Sequence, residues 1–455
     1  MADEGRKLFG TDGVRGTANV HPMTAEVALA LGQAAAHVFR QTSDRQHKIL
    51  IGKDTRLSGY MFEDALAAGI CSMGVDVIHV GPMPTPAMAF LTTDMRCDAG
   101  VMITASHNPY QDNGIKFFGR DGFKLADELE LKIEELIESG RLPELRAKAE
   151  EVGQATRIDD AEGRYVVFLK NTFPRDLTLE GMRIVLDCAN GAAYQVGPIV
   201  LDELGAELST LGVEPDGRNI NKNCGSLYPE GVSDRVREVG ADIGIAVDGD
   251  SDRVMIIDER GEVLDGDIVI GLCARYLAEN GRLKGGGVVT TVMSNLGLEE
   301  ALAEQGLDLI RAQVGDRYVV EAMRKGGYNL GGEQSGHVIF LDHGTTGDGL
   351  LTAVQVLAIL AREGVPLSKL VSGFKQYPQV MVNVEVAQKK PLEGLLGLQA
   401  AIAEVEAEMA GKGRILIRYS GTELKARVMV EGAEDFDVEG YANRLAGVLK
   451  ADLDA

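Results

Sequence analysis

Asp248, Asp250 and Asp252 stand two residues apart in DGDSDR (248–253), with Arg253 directly behind them. Three oxygen donors on one short loop suit a hard cation such as Mg²⁺, which prefers octahedral oxygen coordination and draws further ligands from a phosphate. Two other chemistries begin the same way. An EF-hand loop opens D-x-D-x-D, and Glu259 falls at its twelfth position. Its sixth position, where glycine makes the turn, is Arg253 here, and the flanks ADIGIAV and VMII read as strands rather than helices. A phosphatase could use Asp248 itself as nucleophile, since a strand followed by D-x-D supports that reaction. The plainest alternative is a solvated acidic turn.

TASHNP (104–109) follows the apolar run AGVMITA, with His107 beside Ser106 and Lys116 ten residues on. A serine there can be an ordinary turn residue or helix cap. It can also accept and return a phosphoryl group, for which it needs exposure, nearby cations and a metal to spread the transition-state charge. GGEQSGH (331–337) offers Glu333 and Ser335 to sugar hydroxyls and His337 for proton exchange, although glycine-rich loops with a glutamate are common. RYSGTE (418–423) reads as a phosphate cradle: Arg418 for charge-assisted bonds, Ser420 and Thr422 for hydroxyls, and Gly421 to turn backbone N–H groups toward an anion. A plain hairpin turn would explain it as well. Arg15, in KLFGTDGVRG (7–16), fits either an anion site or a structural salt bridge.

The elements that must position these loops recur in a fixed order. KILIGKDTR (48–56), GVDVIHVG (74–81) and AGVMITA (99–105) read as strands separated by helical stretches, the last running into SHNP. MRIVLDCANG (182–191), GAELSTLG (205–212) and ADIGIAV (241–247) repeat the order and end in DGDSDR. GGVVTTVMSN (286–295), GLDLIRAQVG (306–315) and GYNLGG (327–332) repeat it again and end in EQSGH. Alternating short strands and helices indicate βαβ units with mainly parallel sheets, whose ligands bind beyond the carboxyl ends of the strands. After about residue 372, VMVNVEVA (380–387) and RILIRYSGTELKARVMVEG (414–432) alternate instead like half-buried strands. The fold class is therefore α/β: three similar mixed α/β domains plus a smaller α+β C-terminal domain around a central cleft. The domains are expected at 1–155 (serine loop), 156–258 (metal loop), 259–373 (sugar-recognition loop) and 374–455 (phosphate binding). Linkers are expected near 141–160 and at SGFKQYPQ (372–379).

A chain of 455 residues exceeds one hydrophobic core, and its 45% hydrophobic and 25% charged content suits a folded protein. The net charge of −23 argues against nucleic acid or an anionic membrane as partner, since both require a positive surface. Cys71, Cys97, Cys188, Cys224 and Cys273 are odd in number and widely spaced, which argues against disulfides or a zinc site and for a reducing, cytoplasmic setting. The first residues lack a signal-peptide core, and the apolar stretches near 27–39 and 350–361 are broken by Gln33, His37 and Gln355 before the ~20 residues a bilayer span needs. A homodimer is compatible with the chain.

Together FGTDGVRG, TASHNP, DGDSDR, GGEQSGH and RYSGTE resemble the α-D-phosphohexomutase family, in order and across nearly the whole chain, and look most like its branch acting on glucosamine phosphates. The resemblance implies a four-domain enzyme that interconverts glucosamine 6-phosphate and glucosamine 1-phosphate through a phosphoserine and a 1,6-bisphosphate. A hexosamine or hexose bisphosphate would serve as activator. Phosphomannomutase or phosphoglucomutase activity is the alternative. It implies that Ser106 carries the phosphoryl group and joins Asp248, Asp250 and Asp252 around one Mg²⁺. Glu333 and Ser335 would contact the sugar, and Arg418, Ser420, Gly421 and Thr422 the phosphate not being transferred. Arg15, His107, Lys116 and Arg253 would line the phosphoserine, with Lys116 and His337 as candidates for proton transfer. Ser251 stands where the family usually has glycine, which is expected to be harmless if it points to solvent. Leu424 stands where proline is common.

Overall fold

In the computed structural model, which describes residues 7–10, 12–40, 46–420 and 424–454, three α/β units share one architectural device. In each, a strand ending in one of the candidate loops pairs in parallel with its neighbour and then folds back into an antiparallel partner. In the first unit Ala99–Ile103 pairs in parallel with Lys48–Lys53 and antiparallel with Asp112–Gly119. In the second, Ile243–Val247 lies parallel to Arg183–Asp187 and antiparallel to Val254–Ile257. In the third, Leu330–Gly332 lies parallel to Gly287–Thr291 and antiparallel to Val338–Phe340. The serine, aspartate and glutamate–histidine loops thus occupy the same reversal point in successive repeats. The sequence order anticipated the first three strands of each unit, not the fold-back that aims the loop.

Among the described residues the first sheet has six strands, the second five and the third four. Its outer edge in the first unit is Ala155–Arg157, so the charged stretch near 141–160, read as a linker, is partly built into that sheet. Ala99–Ile103 and Ile243–Val247 are buried along their whole length, as expected of strands covered on both faces.

One apolar cluster runs through all three units, joining Leu50, Met88 and Met102 to Ile245 and Val254 and to Val338 and Leu351. Helix Gly349–Glu363 crosses it, with Asp348 capping its N-terminus by accepting the Leu351 N–H at 2.9 Å and Gly364 (φ +64°) ending it. Being apolar nearly all round, this helix reads as a buried one, and among the described residues no helix is long and apolar enough to cross a membrane.

The C-terminal unit is a three-stranded antiparallel sheet, Gln379–Glu385, Lys425–Gly432 and Gly413–Tyr419, backed by helices Leu396–Met409 and Val438–Asp454. Alternation sends Val428, Val430, Ile415 and Ile417 into a separate core. The opposite face carries Arg414, Arg418, Arg427 and Glu431, with Arg418 directly across from Arg427 and Arg414 across from Glu431.

Candidate active site

The serine loop is held from beneath. Arg56 is fully buried, anchored to Asp54 Oδ2 through Nε at 2.8 Å. Its guanidinium donates to the carbonyls of Ser106 (2.9 Å), Asn108 (2.8 Å) and Asp112 (3.0 Å), and also to Pro109. From the second unit, Asn221 Nδ2 donates to the Ser106 and Asn108 carbonyls at 2.8 and 3.0 Å. Gly249 lets the metal loop come close, since a Cβ there would sit 2.7 Å from the Ser106 carbonyl oxygen. Ser106 itself takes φ +49°, a conformation costly for an L-residue and retained here by its surroundings. As a result its hydroxyl donates to Asp248 Oδ2 at 2.6 Å and lies 3.3 Å from His107 Nδ1. Ser106 is only 2% exposed, and what exposure it has is to a cavity that it lines, not to bulk water.

Asp248, Asp250 and Asp252 are all buried, and each offers a carboxylate oxygen within 4.8 Å of the others. Thr85 Oγ1 and Lys116 Nζ donate to Asp250 Oδ2 at 2.7 and 3.2 Å, and the Arg253 N–H to Asp248 Oδ1 at 3.2 Å. The other oxygens of Asp250 and Asp252, their Oδ1 atoms, are sealed from solvent without a hydrogen-bond partner. Buried acceptors of this kind are costly unless something positive meets them. The donor set fits a hard divalent cation. Desolvation, with Asp252 and Asp250 adding to it, pushes Asp248 well above the usual carboxylate range. Desolvation also presses Asp252 upward, but Lys116, His337 and Arg253 prevail and hold it low. Lys116 is in turn raised despite its burial, because Asp12, Asp250 and Asp252 surround it. Ser251 does not point to solvent: it is fully buried with φ +59° and an unpartnered hydroxyl, because the metal loop turns inward beneath Gly349, whose N–H donates to the Ser251 carbonyl.

On the third loop Glu333 accepts from the Gly315 N–H at 3.2 Å and from Ser335 Oγ at 3.3 Å, which orients both side chains. His337 is 3% exposed, and its Nε2 accepts the Gly347 N–H at 3.1 Å, leaving Nδ1 to carry the neutral ring's proton toward Asp252, 3.7 Å away. Against the desolvation, Asp252, Asp316 and Glu333 raise its pKa, and a second proton would have to break the Gly347 contact. His107 is pushed down to about 4 by burial and then by Arg253 and Arg15.

A cleft of ≈ 240 Å³ is lined by Ser106, Arg15, Asp252, Arg253, Glu333 and His337, uniting the first unit's serine with both other loops. It is also lined by Asp12, Lys124, Asp316 and Arg317, none of which sequence reasoning singled out. Asp12 ties Arg15 (2.9 Å), Lys116 (2.9 Å) and Lys124 together, and Lys124 reaches across to Asp316 at 2.5 Å. The GTDG of the opening motif carried Asp12, so a signal was present there; Lys124 and Asp316 sit in unremarkable local sequence. Arg418 and Ser420 lie at the end of the C-terminal hairpin and are not among the residues lining this cleft. Gly421 and Thr422 lie outside the described residues. Burial, then Arg427 opposite, lowers the pKa of Arg418.

Comparison with known proteins matches four family models along the chain. These are the phosphoglucomutase/phosphomannomutase alpha/beta/alpha domains I (residues 6–144), II (163–261) and III (265–377) and the C-terminal domain (381–448). The chain is 57% identical over 448 residues to the phosphoglucosamine mutase of Syntrophotalea carbinolica, covering 98% of both. It is 57% identical over 452 residues to that of Myxococcus xanthus, covering 99% of this chain and 98% of the other. Among solved structures, a phosphoglucomutase/phosphomannomutase family protein from Burkholderia thailandensis superposes with a TM-score of 0.80 at 25% identity, covering 99% and 98%. The N-acetylphosphoglucosamine mutase of Aspergillus fumigatus shares the fold with a TM-score of 0.70 at 20% identity, covering 99% and 97%.

Proposed function

Since the chain belongs to the phosphoglucomutase/phosphomannomutase family, we propose that it is a phosphoglucosamine mutase, interconverting glucosamine 6-phosphate and glucosamine 1-phosphate by way of phosphorylated Ser106. The observation that carries this reading is the Ser106 hydroxyl placed 2.6 Å from Asp248 within the aspartate trio.

In the first half-reaction the Oγ–P bond of Ser106 breaks as a bond forms from phosphorus to the sugar's free hydroxyl, whose proton leaves, giving the 1,6-bisphosphate. The sugar then turns over in the cleft, and its other phosphoryl group passes to Ser106 Oγ. Asp248, Asp250 and Asp252, with Ser106, would hold Mg²⁺. When bound, that cation neutralises charge developing on the transferred group. Arg15 and Arg253 keep positive charge beside Ser106, and the neutral His107 ring lies against its hydroxyl; Lys116 and His337, both against the aspartates, are the candidates for moving the proton. Glu333 and Ser335 present acceptor and donor to the sugar hydroxyls. Arg418, Ser420, Gly421 and Thr422 hold the phosphate not in transfer. The sugar assignment rests on the full-length relatives named phosphoglucosamine mutase.

Ser106→Ala should abolish turnover of glucosamine 6-phosphate, and peptide mapping of the wild-type chain should locate a phosphate on Ser106. A variant that keeps near-normal rates would eliminate the mechanism, and one that releases inorganic phosphate would favour Asp248 as the nucleophile of a phosphatase. Comparing glucosamine, glucose and mannose phosphates as substrates decides the sugar.

A further inference from the structure

The polar face of the C-terminal sheet carries two cross-strand pairs, four residues apart along each strand: Arg418 with Arg427, and Arg414 with Glu431. The second pair lies about 13 Å from the first, at a strand rise of ~3.3 Å per residue, and it faces the third unit. Glu431 is fully buried; its Oε1 accepts the Leu296 N–H at 2.8 Å and its Oε2 pairs with Arg414 Nε at 2.5 Å. Arg414 donates onward to the carbonyls of Val292 (2.8 Å) and Ser294 (2.5 Å). Gln379, on the neighbouring strand, donates to the Met293 carbonyl at 3.1 Å. The loop they grip, Val292–Leu296, leaves the carboxyl end of strand Gly287–Thr291, and Arg311 braces it from behind at the Ser294 carbonyl (2.6 Å). Asn295 pairs both ways with the backbone of Tyr377 in the connecting segment, at 2.9 and 3.0 Å.

We infer that Arg414 and Glu431 are positioning residues: by bolting the C-terminal sheet to the loop Val292–Leu296, they fix where Arg418 holds the substrate's second phosphate relative to Ser106. The inference rests on the function proposed above. The strand is the lever. Arg414 and Arg418 share it and point to the same face, so a change of angle at the bolt displaces the cradle while leaving its residues intact. A displacement near 1 Å is enough to matter for group transfer. The pair neutralises itself, so the bolt adds no net charge to compete for the phosphate.

The test uses the full chain carrying Arg414→Ala, with Glu431→Gln as a second variant that keeps an acceptor for Leu296, and Arg414→Lys as the conservative rescue. With glucosamine 6-phosphate, Arg414→Ala should raise KM about tenfold and raise the fraction of 1,6-bisphosphate escaping per turnover by a similar factor. Single-turnover transfer from Ser106 at saturating substrate should stay within about threefold. Glu431→Gln should move the same two quantities less, and Arg414→Lys should recover part of the loss. Unchanged KM and escape in both Arg414→Ala and Glu431→Gln would overturn the inference. So would a loss of single-turnover transfer equal to the loss in kcat/KM, which would mark a general defect of the fold. A wild-type chain with no mutase turnover would instead sink the functional reading itself.

Discussion

Two serines in left-handed backbone, Ser106 and Ser251, mark the innermost turns of two different loops. For Ser106 the strained conformation has an evident return, since it points the hydroxyl at Asp248. For Ser251 there is none: the side chain is fully buried and its hydroxyl has no partner. Ser251→Gly removes a left-handed penalty of about 1 kcal/mol and an unsatisfied buried hydroxyl, against a comparable entropic loss from the added glycine. The variant should therefore melt at the same temperature or slightly higher and keep its activity within about twofold. Ser251→Val, β-branched at φ +59°, should lose stability and cation-dependent activity together. Melting curves and activity assays on both variants check this. The condition set for a harmless serine here, a side chain pointing to solvent, is not met, and local sequence does not carry the reason: whether a turn faces outward depends on what packs over it, here the start of helix Gly349–Glu363.

At the scale of elements, the three loops that meet at the cleft were legible because each follows a short apolar run and breaks abruptly into polar turn residues, and because the order recurs. What was not legible is the support. Arg56 and Asn221 act on backbone carbonyls fifty and more than a hundred residues away, and a carbonyl has no sequence signature. Asn221 takes φ +58°, so Asn221→Gly deletes its two hydrogen bonds without adding strain. With Arg56 still gripping the loop, the protein should fold, lose about 1–3 kcal/mol of stability, and lose roughly tenfold to a hundredfold in kcat because Ser106 is less well aimed. Unaltered kcat would show that Arg56 alone suffices. Asp267 is a second case. Burial, then the neighbouring Asp265, raises it to about 7, while its Oδ2 accepts the Asn295 N–H at 2.7 Å. An acid whose folded pKa lies above its unfolded value of about 3.9 stabilises the fold fully below that value. It loses the contribution as pH rises through the folded pKa. The melting temperature of Asp267→Asn, measured relative to wild type, should therefore climb between about pH 4 and pH 7 and level off above. A difference that stays flat across that range would mean Asp267 is ionised throughout.

At the scale of the whole molecule, the division of apolar area decides what unfolds with what. The cluster linking Leu50 and Met102 to Ile245, Val254, Val338 and Leu351 belongs to no single α/β unit, so opening one exposes the others. The C-terminal sheet and its two helices instead keep a core of their own around Leu398, Val405, Val428, Leu445 and Leu449. They dock through the polar contacts of Arg414, Glu431 and Gln379. The alternating pattern after residue 372 had already set this unit apart in the sequence, but nothing in the sequence indicated that one apolar cluster would run through the other three, beside the first unit's own cluster around Phe62, Leu66 and Val101. Calorimetry should accordingly resolve two transitions: a smaller one for the C-terminal unit, at lower temperature because a unit of this size buries proportionally less of its surface, and a larger one for the other three together. Cleavage in the segment 372–378 should release the C-terminal unit while leaving the large transition in place. A single transition whose calorimetric and van't Hoff enthalpies agree would mean that the polar seat couples all four units. In that case the C-terminal unit could not move independently while a bisphosphate turns over in the cleft, and the sugar would have to reorient within a closed molecule.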